Sequence, residues 1–64
     1  MTNAQMAACF NEWMRRFIDE PARFAREFEC VNQFMTDENE GRHPTYGETS
    51  SAYMVQLATE VAVS

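Results

Sequence analysis

Two apolar stripes at helical spacing, one on each side of a proline, constrain this chain more than any other feature. The stripes are Met6, Phe10, Trp13 and Phe17, followed by Phe24, Phe28, Val31 and Met35. Steps of three or four residues bring side chains onto one face of an α-helix. Pro21 lies between the stripes, and proline lacks the amide that a continuing helix needs. The pattern predicts a helical hairpin with an aromatic seam; one long, kinked helix is the alternative.

Start and stop signals predict an all-α fold, a small three-helix domain that spans residues 1–64. The predicted helices cover residues 3–19, 21–39 and 46–62. Thr2 or Asn3 can cap the first helix. Glu20 is expected to cap the second, because a carboxylate there faces the positive end of the helix. Gly41 is expected to supply the left-handed residue that ends the second helix.

The third helix is predicted from the segment that follows the loop. Thr45 and Glu48 have the spacing of a capping box, in which each side chain bonds the backbone amide of the other residue. Tyr46 would then be the first helical residue. A later start, at Thr49 or Ser50, is the alternative.

The apolar arc of the first helix is wider than one partner helix can cover. One half is expected to meet the second helix, and the other half to meet the third helix or a second subunit. The residues assigned to the core are Trp13, Phe17, Phe24, Phe28, Val31 and Leu57. Phe34 lies off the main stripe and is expected to be exposed in the monomer and buried in an assembly. A thinner apolar set, interpreted either as an oligomer interface or as a fraying end, comprises Ala52, Val55, Ala62 and Val63.

The small size of the chain bears on how it is stabilised. Chains of about this length bury little surface and are usually supported by disulfides, metals or self-association. Cys9 and Cys30 have no Cys-x-x-Cys spacing and follow no secretory signal, so we expect reduced, buried thiols in a cytoplasmic protein. A disulfide between Cys9 and Cys30 requires the first two helices to face each other at these two residues. One histidine leaves a zinc site short of ligands. The expectation is therefore a homodimer or higher oligomer without metal or cofactor.

The charge balance indicates the kind of partner. Ten carboxylates stand against five arginines and no lysine, a net charge of −5. Such a surface repels phosphate, which argues against nucleic acid and favours a protein with a basic surface. No apolar run approaches the roughly 18 residues that span a bilayer, so no membrane association is expected.

Glu27 lies close to the apolar stripe of the second helix. A partly buried carboxylate there could exchange protons or contact a ligand specifically. The simpler interpretation, which we favour, is an edge residue paired with Arg23 or with Arg16 of the first helix.

Catalysis is not predicted, because the residue types it requires do not occur together. His43 is the conventional base of the chain and lies in a loop beside Arg42, with no nucleophile assigned to it.

Two other functions stay open. An oligomeric sponge could hold a small nucleotide-like signalling ligand through Arg42, His43 and Tyr46. Three short helices are also the frame of a helix-turn-helix DNA-binding regulator, although the predicted third helix carries no cation.

The candidate partner-binding residues lie where the charged end of the second helix meets the following loop. This segment is expected to be accessible and chemically mixed, as interfaces are. The residues are Asp37, Glu38, Glu40, Arg42, His43 and Tyr46.

Three segments together resemble short accessory proteins of tailed bacteriophages. The segments are Phe10-Asn11-Glu12-Trp13-Met14-Arg15-Arg16-Phe17, Glu20-Pro21-x-x-Phe24 and Pro44-Thr45-Tyr46-Gly47. The resemblance covers most of the chain, and its motifs are structural rather than catalytic. It is closest to the quorum-sensing anti-activator type of early phage protein, a small helical dimer that disables host regulators. Anti-CRISPR and other anti-defence proteins used in host takeover are similar in size and acidity. The resemblance implies inhibition of a host protein by occlusion, in the host cytoplasm.

Overall fold

The computed structural model describes residues 2–63, with the side chain of Val63 outside the described part. Within this range the chain forms three helices and no strand: α1 (Asn3–Asp19), α2 (Pro21–Glu38) and α3 (Tyr46–Val63). The all-α prediction is confirmed, and each helix ends within one residue of its predicted boundary. The hairpin consists of two helices rather than one kinked helix, because the chain leaves helical geometry at Glu20 (φ −133°, ψ 57°).

Reciprocal capping boxes begin α1 and α3. Thr2 Oγ1 accepts a hydrogen bond from the Gln5 amide at 3.1 Å, and Gln5 Oε1 accepts one from the Thr2 amide at 2.9 Å. In α3 the Thr45 amide donates to Glu48 Oε1 at 3.1 Å, and the Glu48 amide donates to Thr45 Oγ1 at 3.2 Å. These bonds satisfy amides that have no partner inside the helix. The start of α3 at Tyr46 is therefore confirmed.

The start of α2 differs from the prediction. Glu20 occupies the N-cap position, but its side chain makes no capping hydrogen bond. Its carboxylate contacts Arg15 at 2.8 Å and Arg23 at 3.3 Å instead. Two guanidinium groups within reach compete with the backbone amides for the same oxygens. Pro21 at the first position, with its fixed φ, therefore begins α2 without a side-chain cap.

The end of α2 has the two hydrogen bonds of a Schellman motif, placed one residue earlier than predicted. The Gly41 amide donates to the Thr36 carbonyl at 2.9 Å, and the Glu40 amide donates to the Asp37 carbonyl at 3.2 Å. Glu40 therefore occupies the left-handed C′ position, with φ 56°, and Gly41 follows it with φ 93°. Gly41 is left-handed as predicted, but it is the second of two left-handed residues, because Glu40 precedes it at the C′ position. A residue with a Cβ in this conformation costs about 1–2 kcal/mol.

Replacing Glu40 with glycine is expected to raise the free energy of unfolding by about 1 kcal/mol, because it relieves this backbone strain. The change also removes a carboxylate from the negative end of α2. The Glu40→Gln variant is the matched control, since it removes the charge and keeps the Cβ. Urea unfolding followed by helical circular dichroism measures both. If both variants raised the free energy of unfolding equally, the effect would be due to charge, and the strain explanation would be contradicted.

The core lies where α3 crosses the hairpin. Three apolar side chains among the described residues are fully buried: Cys9, Tyr53 and Leu57. Partly buried residues pack around them: Trp13, Phe24, Phe28, Val31, Met54 and Ala58. Tyr53 is the centre of an aromatic cluster, with its ring centroid 5.0 Å from that of Trp13 and 5.4 Å from that of Phe24. The third helix thus provides two of the three fully buried side chains, which pack against the seam between α1 and α2.

One core assignment needs correction. The sequence predicts Phe17 in the core, but it is 57% exposed and touches the ring of Phe24 from outside. The reason is that α1 presents to α2 and α3 only the sector that holds Cys9, Trp13 and Arg16. Cys30 is exposed rather than buried, and both cysteines are free.

Candidate functional site

Arg16 is the buried charge at the junction of the three helices. It is 5% exposed. Its Nε donates to Glu12 of α1 at 2.8 Å and its Nη1 donates to Glu27 of α2 at 3.0 Å, while its Nη2 pairs with Glu60 of α3. Arg16 follows Cys9 by seven residues, so both lie on the same side of α1. A buried guanidinium requires paired partners, and here each helix supplies one.

Arg16 belongs to a larger group, which we call the ion network. Its members are Arg15, Arg16, Arg23, Glu12, Glu20, Glu27 and Glu60. Glu27 pairs with both Arg16 and Arg23, which confirms the simpler interpretation of this residue. Hydrogen bonds from Arg15 and then Arg16 lower the pKa of Glu12 to about 2. Burial raises the pKa of Tyr53, whose hydroxyl lies 3.5 Å from Arg16 Nη1.

Most of the cations are held inside this network. The arginines that remain outside it are Arg26 and Arg42. They stand against six carboxylates: Asp19, Glu29, Asp37, Glu38, Glu40 and Glu48. The surface that a partner would meet is therefore strongly acidic, because the network neutralises three of the five arginines.

An exposed apolar surface runs along α1. We call it the α1 stripe, and it consists of Met6, Phe10, Met14, Phe17 and Ile18, which are between 43% and 66% exposed. Spacings of three and four residues place these side chains on one face. The stripe extends about 18 Å along the helix. A continuous apolar surface of this kind marks an interaction site more often than scattered exposed residues do.

The α1 stripe opens onto two hollows that share Tyr46. The first, about 690 Å³, lies between α1 and α2 and is lined by aromatic residues and Glu29. The second, about 600 Å³, lies between α1 and the start of α3. We call the combined surface the aromatic groove, after Phe10, Trp13, Met14, Phe17, Phe24, Phe28 and Tyr46. Tyr46 is 74% exposed, and its ring centroid lies 5.5 Å from that of Phe28.

The predicted partner-binding residues fall into two places. Tyr46 lines the aromatic groove. The others are exposed at the end of α2 and in the loop: Asp37, Glu38, Glu40, Arg42 and His43. His43 Nδ1 lies 3.5 Å from Thr36 Oγ1, which holds the loop against the last turn of α2. None of these five lines either hollow.

The groove residues on α1 are the part that the sequence prediction missed. Phe10 and Phe17 were interpreted as the hairpin seam because they share its spacing with Trp13. The available signal was the width of the apolar arc, which exceeded what one partner helix covers. In the structure, the apolar residues of this arc that no neighbouring helix covers are exposed on α1.

Comparisons with models of protein families, with curated proteins and with solved structures found no match for this chain. Among the residues that the structure describes, no three or more His, Cys, Asp or Glu side chains are grouped to hold a metal ion. None of the helices formed by the described residues combines the length and the apolarity needed to cross a membrane.

Proposed function

We propose that this protein is an inhibitor that occludes a host protein by binding one of its amphipathic helices in the aromatic groove. The observation that carries the proposal is the α1 stripe, five large apolar side chains exposed in a row beside two hollows. A helix lying in an apolar groove is a recurrent mode of recognition, with anchors at positions i, i+3, i+4 and i+7. An 18 Å stripe, by the rise of about 1.5 Å per residue, accommodates three turns of such a helix.

The charge distribution supports a partner helix with basic flanks. Glu29 lines the hollow between α1 and α2, and the carboxylates outside the ion network outnumber the arginines. Opposite charges at the rim of an interface accelerate and orient association, while aromatic anchors at its centre supply affinity. In this proposal Glu38 and Glu40 attract the partner, and Phe10, Phe17 and Tyr46 hold it.

The lining of the groove favours a protein over a nucleotide-like ligand. Both hollows have volumes typical of small-molecule sites. However, no arginine is among the described residues that line them. A phosphate group would find no charged donor there. Resemblance to phage accessory proteins supports the remaining part of the proposal, inhibition of a regulator or defence component in the host cytoplasm.

Substituting the exposed rings of the groove is expected to weaken partner binding without unfolding the chain. Phe17→Gln and Phe10→Gln should each weaken affinity for the partner by roughly tenfold or more, as loss of an aromatic anchor does. The partner is first isolated from bacterial lysate on the immobilised protein, and its affinity for each variant is then measured by calorimetry. Helical circular dichroism verifies the fold of each variant.

The Phe34→Gln variant is the matched control, because Phe34 is slightly more exposed than Phe10 and Phe17 but does not line the groove. Each chain of this variant should bind the partner with the affinity of a native chain. Equal binding by the Phe17→Gln and native proteins would refute the groove. Recovery of an ultraviolet-absorbing small molecule in place of a protein would refute occlusion and support the sponge alternative.

A further inference from the structure

A second apolar surface lies between α2 and α3. Phe34 is 64% exposed, and it borders a hollow of about 340 Å³. The hollow is lined by Cys30, Val31, Phe34, Ala52, Val55 and Gln56, and we call this surface the Phe34 face. Val55 also borders the aromatic groove, and the other members of the Phe34 face do not. We propose that the Phe34 face is the interface at which two copies of this chain form a two-fold symmetric dimer.

The charge of the chain restricts the face on which a second copy can pack. Each copy carries a net charge of −5, so two copies associate most readily through a surface whose lining adds no further contact between like charges. The residues that line the Phe34 face are all uncharged. The aromatic groove, by contrast, includes Glu29 and suits a basic partner. The neutral face is therefore the one on which an identical acidic chain can pack.

The residues beside the hollow are complementary to themselves under two-fold symmetry. Arg26, Cys30 and Asp37 follow one another at spacings of four and seven residues on one side of α2, and all three are exposed. Antiparallel pairing of α2 with its copy, about an axis near residue 32, sets Arg26 opposite the second Asp37. It also sets Phe34 opposite the hollow beside Cys30. Each contact then occurs twice, as an isologous interface requires.

The size of the core gives a reason for association. Only three apolar side chains are fully buried in the described part of the chain. The accessible surface is 4597 Å². A compact monomer of this mass is expected to expose about 4200 Å². Chains this small that lack disulfides and metals commonly gain stability by oligomerising.

The test is the association state of the full chain, measured by analytical ultracentrifugation. The native protein should be a dimer at micromolar concentration, and Phe34→Gln should weaken dimerisation by roughly tenfold or more. Asp37→Arg should weaken it as well, because it places two guanidinium groups opposite each other. Adding Arg26→Asp to Asp37→Arg restores opposite charges and should recover the dimer. Circular dichroism confirms that each variant keeps its helices.

Cys30 provides an independent readout. It is exposed while Cys9 is fully buried, so a short bismaleimide reagent should cross-link native dimers through Cys30 and fail with Cys30→Ser. A monomeric native protein would overturn the proposal. Failure of the Arg26→Asp/Asp37→Arg double variant to form the dimer would also overturn it. So would a native dimer that Phe17→Gln dissociates and Phe34→Gln does not. Since Phe17→Gln tests the groove and Phe34→Gln tests this face, the two proposals fail separately.

Discussion

Replacing Arg16 with methionine is expected to remove about 3–5 kcal/mol of stability, the cost of breaking a buried ion pair by removing one partner. The total free energy of unfolding of a domain of 64 residues is typically roughly 3–10 kcal/mol. Arg16 is the residue on which Glu12, Glu27 and Glu60 converge. Without it, one carboxylate from each helix faces the others across the junction. The variant should be largely unfolded at room temperature, as measured by helical circular dichroism and urea titration.

Arg15→Met is the matched control, because it removes a neighbouring arginine of the same network. Arg15 also contacts Glu12 and Glu20, at 2.7 and 2.8 Å, but its side chain is 45% exposed. Exposed ion pairs contribute about 0–1 kcal/mol. We therefore expect a small effect, and equal losses from the two substitutions would contradict a special role for the buried guanidinium.

The pH dependence of stability distinguishes lost ion pairing from lost packing. In the native protein the lowered pKa of Glu12, about 2 against an ordinary 4.5, contributes stability above pH 4.5 that is lost as the pH falls through about 2. In Arg16→Met, protonation relieves the repulsion between carboxylates. The variant should therefore gain stability as the pH falls from about 7 to about 5, where the native protein shows no such gain. A variant destabilised only by poor packing would not gain stability.

Replacing Tyr53 with alanine is expected to cost about 3–5 kcal/mol, the range for truncating a large buried aromatic side chain. Tyr53 is fully buried. Its ring makes edge contacts with Trp13 and Phe24 and a tilted contact with Phe28, so one truncation opens a cavity beside all three rings. The substitution should unfold most of the chain. Thermal and urea unfolding, both followed by circular dichroism, provide the measurement.

Two further tyrosine variants separate the causes. Tyr46→Ala removes a ring that is mostly exposed and should change stability by about 0.5 kcal/mol or less, while it weakens partner binding. Tyr53→Phe keeps the ring and removes the hydroxyl group near Arg16, whose loss should cost about 1 kcal/mol. If Tyr53→Phe were as damaging as Tyr53→Ala, the hydroxyl rather than the packed ring would govern stability.

The candidate site could be predicted only in part. Tyr46 was selected from the sequence and lines the aromatic groove, although the reason for selecting it was its place in a charged loop. Phe10 and Phe17 were assigned to the seam, because spacing shows which residues share a helix face and not how far a neighbouring helix covers that face. Their exposure follows from which sector of α1 packs against α2 and α3, and no local pattern encodes that choice.

The positions of the helices follow from local sequence, because the signals that set their boundaries act over a few residues. The Thr2–Gln5 and Thr45–Glu48 capping boxes and the break before Pro21 are of this kind. The burial of Arg16 depends instead on how the helices pack, because its partners Glu27 and Glu60 lie 11 and 44 residues away along the chain. A charged side chain is buried only where distant carboxylates converge on it, and that convergence exists only after the helices have packed.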